Sequence, residues 1–258
     1  MSSEVRMVAI DVGNSAVKIA VCDGDTVIDH AIRIGPTGWE QLAIDWVRRR
    51  MGEKDTTWRI ASVHQTAAEQ LGCAIGKSIP DASIELVTRH EVPMHANVDH
   101  PDRLGIDRLL SAYAATNRLD PPIVVVDAGS AVTVDWVDEQ GHFSGGAILP
   151  GLGLQSRSLQ RETEALPQIE WGGDTELRFP ARNTTDAIRS GILIGVSAAV
   201  DELVRRYCDA AGAKPGSFQV ALTGGDTAAL SPYLQHSHQV IPNLVCRGLL
   251  DLPRSLVA

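Results

Sequence analysis

Apolar positions recur along this chain in two rhythms, and the change from one to the other divides it into elements. Short runs of period two read as strands, and stretches with apolar residues three or four apart read as helices. Residues 7–11, 17–22 and 26–32 read as three consecutive strands joined by short Gly/Asp turns. Residues 38–51 then read as a helix, 59–63 as a strand, 65–77 as a helix and 83–87 as a strand. A helix over 104–118 follows, with Pro101 and Asp102 reading as a helix start. "DPP" at 120–122 interrupts the pattern and marks the expected boundary between two domains, 1–119 and 120–258.

After that break the order restarts. "IVVVDAG" (123–129) has the apolar character of a strand buried on both faces. Residues 131–137 and 142–149 read as two more strands, and 152–165 and 185–211 as helices. "FQVALTGGD" (218–226) reads as a strand ending in glycines, and a helix, a short strand and a final helix complete the chain. The expected class is α/β, with sheets of mixed direction.

The two halves share a plan. "AIDVGNSAVKIAV" (9–21) and "VVDAGSAVTVDWV" (125–137) are each an apolar strand, then Asp-x-Gly, a hydroxyl residue and a second apolar strand. One such turn is an ordinary hairpin. Two of them, at the start of matching halves, predict a duplicated domain with a ligand cleft between the copies.

Composition narrows the function classes. The 258 residues are 44% hydrophobic and 21% charged, a globular balance. No apolar run reaches the about 18–20 residues that a membrane helix needs, and "MSSEVRMVAI" does not read as a secretion signal. Cys22, Cys73, Cys208 and Cys246 are scattered without a C-x-x-C pair, as expected of reduced thiols in a cytoplasmic protein. His236 and His238 are spaced for one face of a strand, but nothing near them in sequence completes a metal-ligand set. A net charge of −9 argues against nucleic acid as the main partner. An anionic substrate would require local positive charge or a metal ion.

The two turns suit phosphate. A tight turn of Gly and a small hydroxyl residue aims several backbone N–H groups in one direction, and such a nest binds phosphate oxygens. A carboxylate at its edge holds Mg²⁺, usually through water. Lys18, seven residues after Asp11, is placed to lie across the hairpin and reach the same phosphates. Two other glycine segments fail as phosphate motifs: "GCAIGKS" (72–78) is one residue short of a P-loop, and "GLGLQS" (151–156) lacks the third glycine of a dinucleotide fingerprint. In "HPDRLGIDR" (100–108), Asp107 and Arg108 fall near a helix start, either as an ordinary acidic first turn or as a general base and a carboxylate clamp. "GGAILPGLGLQ" (145–155) and "TGGD" (223–226) allow close backbone approach to a ligand, and Thr184 or Thr185 of "ARNTTDAIRSG" (181–191) reads as a helix N-cap.

Taken in order, "DVGNSAVK", "GIDR", "DAGSAVT", "GGAILPG", "NTTDAIRSG" and "TGGD" resemble type III pantothenate kinase, nearly end to end. That family lies in the actin-like and sugar-kinase ATPase superfamily. The resemblance implies two ribonuclease H-like domains with an interdomain cleft, and ATP-dependent phosphorylation of the terminal hydroxyl of pantothenate, the first step of coenzyme A synthesis. By matching positions it implies that Asp11, Val12, Gly13, Asn14, Ser15, Ala16, Val17 and Lys18 form the first phosphate turn, with Asp11 near Mg²⁺. It implies Asp107 as proton acceptor and Gly105, Ile106, Arg108 and Thr184 at the pantothenate site. Asp127 would bind a monovalent cation, K⁺ or NH₄⁺, and Ser130 would contact ATP. A homodimer with its sites near the interface is implied too, and the helix at 185–211 is the candidate interface element.

The sequence departs from the family pattern at Ser15 and Ser130, where Thr is common, at Val98, where Tyr is frequent, and at Ala181, where Gly is frequent. Serine keeps the hydroxyl, so function is expected to survive those two changes. Two rival readings share the turns: another kinase or phosphohydrolase of the superfamily, or a non-catalytic transcriptional accessory protein. Only "GIDR" and "NTTDAI" point to pantothenate, and the intact carboxylates speak against a non-catalytic role.

Overall fold

The computed structural model describes residues 6–23, 26–35, 37–52, 56–171, 177–214 and 216–253. In chain order the elements are β1 (Arg6–Val12), β2 (Ala16–Asp23), β3 (Thr26–Arg33), α1 (Trp39–Met51), β4 (Thr56–Ser62), α2 (Gln65–Ser78), β5 (Ser83–Leu86) and α3 (Ile106–Thr116). There follow β6 (Ile123–Ala128), β7 (Ala131–Val137), β8 (Phe143–Pro150), α4 (Leu152–Glu162), α5 (Thr184–Ala210), β9 (Gln219–Thr223), α6 (Thr227–Leu230), β10 (Gln239–Val240) and α7 (Leu244–Asp251).

Two compact units form. One comprises residues 1–94, 99–117 and 243–258, the other 95–98 and 118–242. The sequence-based split assigned 120–258 to the second half, whereas α7 packs in the first unit, on α3, β1, β2 and β4. Residues 95–98 lie in the second unit, where the His95 carbonyl and the Asn97 N–H bond to Phe143 at 2.9 and 2.8 Å.

Each unit is built on a five-stranded sheet, ordered β3-β2-β1-β4-β5 in the first and β8-β7-β6-β9-β10 in the second. In both, the first three strands form an antiparallel meander and the last two add in parallel. The duplication read from the two Asp-x-Gly segments is thus a duplication of topology.

The two faces of the first sheet are built differently. Val8, Ile10 and Val12, with Val17, Ile19, Val21, Trp58 and Ile60, form a core against Ala43, Ile44 and Val47 of α1 and Leu71 and Ile75 of α2. Each such large side chain contributes about 1.5–3 kcal/mol on burial. The alternate positions, Ala9, Ala20 and Ala61, are also buried but small, and α3 and α7 pack over that face. Asp11, Lys18 and Arg59 share it by strand alternation and register.

In the second unit Val124, Val126, Val132 and Val134 pack against Ile188, Ile192, Val196, Val200 and Val204 of α5. The other end of α5 differs in chemistry. Its first turns expose Ala187, Gly191, Ile194, Gly195 and Ala198, whereas its last turns expose Arg205, Arg206 and Asp209.

Two helix starts differ from expectation. Pro101–Arg103 forms only a 3₁₀ turn, because Leu104 and Gly105 are extended (φ −64° and −60°, ψ 129° and 131°), and α3 begins at Ile106. The long helix is capped by Asn183 rather than by Thr184 or Thr185: the Asn183 side chain accepts from the Asp186 N–H at 2.8 Å.

Candidate active site

The first phosphate turn is the β1–β2 hairpin. The Gly13 N–H donates to the Ala16 carbonyl at 3.0 Å, and Asn14 and Ser15 stand exposed at the tip. A side chain on Gly13 would press on that carbonyl, its Cβ 3.1 Å away. Asp11 and Lys18 face each other in register. Lys18 Nζ lies 3.5 Å from Asp11 Oδ2, with the carboxylate side chain only 8% exposed and the lysine 23%. A carboxylate this deep is costly unless paired, and here the residue opposite is a cation. Lys18 and Asp11 thus sit together beside the turn.

The second turn is shorter by one residue, and its surroundings differ. Gly129 N–H donates to the Ala131 carbonyl at 3.0 Å, and Ser130 is exposed. The residues opposite Asp127 are Thr133 on β7 and Thr223 on β9. Where the first unit sets a lysine across from its aspartate, the second sets two hydroxyl residues.

Two further segments close on this turn. The Gly151 N–H donates to the Ser130 carbonyl at 3.1 Å, and the Asp226 N–H to the Ala128 carbonyl at 2.9 Å. A Cβ on Gly151 would lie 2.6 Å from the Ser130 carbonyl oxygen, and one on Gly224 would lie 2.6 Å from the Ala128 nitrogen. Gly224 also has φ +102°, a region that L side chains rarely adopt. "DAGSAVT", "GGAILPG" and "TGGD" therefore converge on one place, through glycines that permit backbone-to-backbone contact. Burial pushes the Asp226 carboxyl above its ordinary value. Gly151 lies in a segment read as allowing close backbone approach; Gly224 and Asp226 were not singled out, although their segment stood out for its glycines.

"GIDR" opens α3. Gly105 is the N-cap, and Asp107 lies in the first turn, where the helix dipole favours a carboxylate. Its Oδ1 accepts the Arg108 N–H at 2.9 Å. The carboxylate folds back over Gly105 so closely that a Cβ there would lie 2.5 Å from Oδ1. Asp107 and Arg108 are both half-buried, and Leu109 and Leu110 behind them are buried.

Thr184 is exposed on the first turn of α5 in the second unit, and Asp11, Lys18 and Gly105–Arg108 all belong to the first. Val98 lies in the 95–98 segment of the second unit. His236 and His238 do not form a metal pair: His236 Nδ1 bonds Asp201 at 2.9 Å, and His238 bridges Ser231 Oγ and the His236 carbonyl, both at 2.8 Å. Among the described residues no three carboxylate, histidine or cysteine side chains converge to hold a metal, and no helix is long and apolar enough to cross a membrane.

Comparison with known proteins gives the family. The family description "Type III pantothenate kinase" matches residues 7–206. A type III pantothenate kinase of Rhodopirellula baltica is 35% identical, over 95% of this chain and 97% of its own. One of Alkalilimnicola ehrlichii is 33% identical, over 95% and 96%. Among solved structures, component A of (R)-2-hydroxyglutaryl-CoA dehydratase from Acidaminococcus fermentans aligns with a TM-score of 0.54 at 16% identity, covering 96% of this chain and 95% of its own. The activator of 2-hydroxyisocaproyl-CoA dehydratase from Clostridium difficile, with bound ADPNP, aligns at 0.52 and 13%, covering 95% and 91%. These structural likenesses concern the fold alone. The sequence relatives go further: this chain belongs to the type III pantothenate kinase family.

Proposed function

We propose that the chain transfers the γ-phosphoryl group of ATP to the terminal hydroxyl of pantothenate, with Asp107 as proton acceptor. The observation that carries this reading is the pairing of a family-matched "GIDR" helix start with the Asp11–Lys18 hairpin in one unit. In the reaction the bond from the γ-phosphorus to the β–γ bridging oxygen breaks, and ADP leaves. A bond from the same phosphorus to the pantothenate hydroxyl oxygen forms, and the hydroxyl proton passes to Asp107. Oδ1 of Asp107 is held by the Arg108 amide, so Oδ2 is the oxygen assigned to that proton. Arg108 is assigned to the pantothenate carboxylate, which suits a planar guanidinium fork, and Gly105, Ile106 and Thr184 are assigned to pantothenate binding. The turn Val12–Val17, Lys18 and Ser130 are assigned to ATP.

The donors present suit the expected ions. Mg²⁺ takes oxygen ligands and is usually held by one or two carboxylates together with substrate phosphates. A single buried carboxylate such as Asp11, with no further cluster among the described residues, fits that pattern. When bound, the metal would neutralise charge on the transferring phosphates. Asp127, opposite two threonines, offers oxygens for a monovalent cation, K⁺ or NH₄⁺.

The homodimer is part of the same proposal, with the first turns of α5 as its contact. Space is open around Gly191 and Gly195, and that exposed stretch carries Ile194 but no charge. An exposed small and apolar helix stripe of this kind permits close helix approach. Gly195→Arg is expected to convert a dimer to a monomer in sedimentation velocity. An unchanged mass would remove α5 from the interface.

Gly105→Ala is expected to lower kcat by about 10²-fold, the scale of a misplaced reacting group, because its Cβ and the Asp107 carboxylate cannot share the space. Steady-state kinetics at saturating substrates checks this, and an unchanged kcat would contradict the placement of Asp107. The substrate reading is tested by ADP release with pantothenate, simple sugars, acetate and polyphosphate side by side. Stimulation by pantothenate alone is expected. Stimulation by another acceptor would give the chain to a different branch of the superfamily.

A further inference from the structure

The last helix is the element that the function leaves unused; two of its contacts end on elements of the proposed site, and a third holds its far end. The first is with the phosphate hairpin. Cys246, fully buried, places its Sγ 3.5 Å from the Lys18 carbonyl oxygen. Burial, followed by the nearby Asp11 charge, pushes its thiol far up, so the residue is inert packing rather than a nucleophile.

The second contact is with α3. A Cβ on Gly248 would stand 2.5 Å from the Leu110 carbonyl oxygen and 3.1 Å from its carbon, both backbone atoms. Gly248 is therefore where α7 meets the α3 backbone, one turn past Asp107 and Arg108. Tyr113 Oη of α3 and Nδ2 of Asn117, its C-cap, continue the contact on Asp251, each at 3.3 Å.

The third contact locks the far end. Arg59, fully buried on β4, donates to the carbonyls of Leu249, Leu252 and Pro253 at 3.1, 2.8 and 2.6 Å, and its Nε pairs with Glu85 at 2.8 Å. A cation on the last carbonyls of a helix satisfies groups that have no partner within it. Alanines 9, 20 and 61 beneath leave room for the helix against the sheet.

We propose that α7 is a brace that sets the Asp107 helix against the Asp11–Lys18 hairpin, with Gly248 and Cys246 as positioning residues and Arg59 as its latch. This rests on the reading of Asp107 as proton acceptor. Neither Gly248 nor Cys246 touches a reacting atom in that reading; both act through the backbone they hold.

The test compares full-length Gly248→Ala with two control variants on the opposite face of the sheet, Ile75→Val and Leu71→Ala. The controls set how far kcat moves when stability alone is lost. Gly248→Ala is expected to lower kcat at least about tenfold, a modest share of what a 1 Å misplacement costs. The KM for ATP should stay within about twofold, and the controls, at equal or greater loss in Tm, should keep kcat within about twofold. If Gly248→Ala does not fold, Cys246→Ala replaces it, with an expected drop of about threefold. Hydrogen exchange read by mass spectrometry on the same variants needs no turnover. It is expected to rise at both 106–110 and 13–18 and to stay constant over 65–78. A kcat loss no greater than that of the controls, or exchange confined to 244–251, overturns the brace. A wild type that turns over no pantothenate overturns the substrate reading instead, and the exchange pattern still decides the brace.

Discussion

Asp107→Asn is expected to lower kcat by about 10²–10⁴-fold, the usual contribution of a positioned general base, with the KM for ATP within about twofold. Asparagine keeps an oxygen that can accept the Arg108 N–H, now at 2.9 Å, so the first turn of α3 should hold its shape. What is lost is the ability to take a proton from the substrate hydroxyl. The half-buried position and the buried leucines behind it keep the side chain from swinging far, so the effect should fall on kcat alone. Steady-state kinetics with both substrates saturating is the check. A variant with wild-type kcat would show that another group takes the proton, or that the alcohol attacks without one.

Gly224→Ala should have the largest effect away from the proposed proton acceptor. Its φ of +102° strains any L side chain by about 1–3 kcal/mol. The new Cβ would also lie 2.5 Å from the Ala128 carbonyl carbon, a backbone atom at the end of β6 that cannot swing aside. Together these predict a loss above about 3 kcal/mol in denaturant unfolding. Because Ala128 leads into the Gly129–Ser130 turn, ATP affinity should fall at least about tenfold. Gly225→Ala is the control: nothing lies within 4 Å of its Cβ position, and it should cost less than about 1 kcal/mol. Equal effects in the two would mean that the loop after β9 does not support the turn.

The strands and helices were legible because their apolar periods are local. Val8, Ile10 and Val12 announce a core face without knowledge of the partner, and the three-strand start of each half announced the repeat. The hairpin was legible down to Lys18 lying across it, since a tight turn fixes register, although its ion pair with Asp11 was not. Long-range decisions were not. Pro101 looks like a helix start, yet the extended backbone at Leu104 and Gly105 delays α3 to Ile106. Asn183 takes the cap from the threonines beside it, which no spacing rule distinguishes. The docking of α7 in the first unit depends on Arg59, whose partners lie about 190 residues away. A buried arginine inside "RIASV" carries no local sign that helix carbonyls will satisfy it. The glycines at 151 and 224 were visible as glycines, but only the packing of Ala128 and Ser130 shows which of the many require one.

The most direct measurement is the mass of the product formed when the purified chain meets pantothenate, ATP, Mg²⁺ and K⁺. Pantothenate heavier by one phosphoryl group, in equal amount to ADP, is predicted. ADP and free phosphate with unchanged pantothenate would contradict the account, leaving an ATPase of the same fold whose acceptor lies elsewhere.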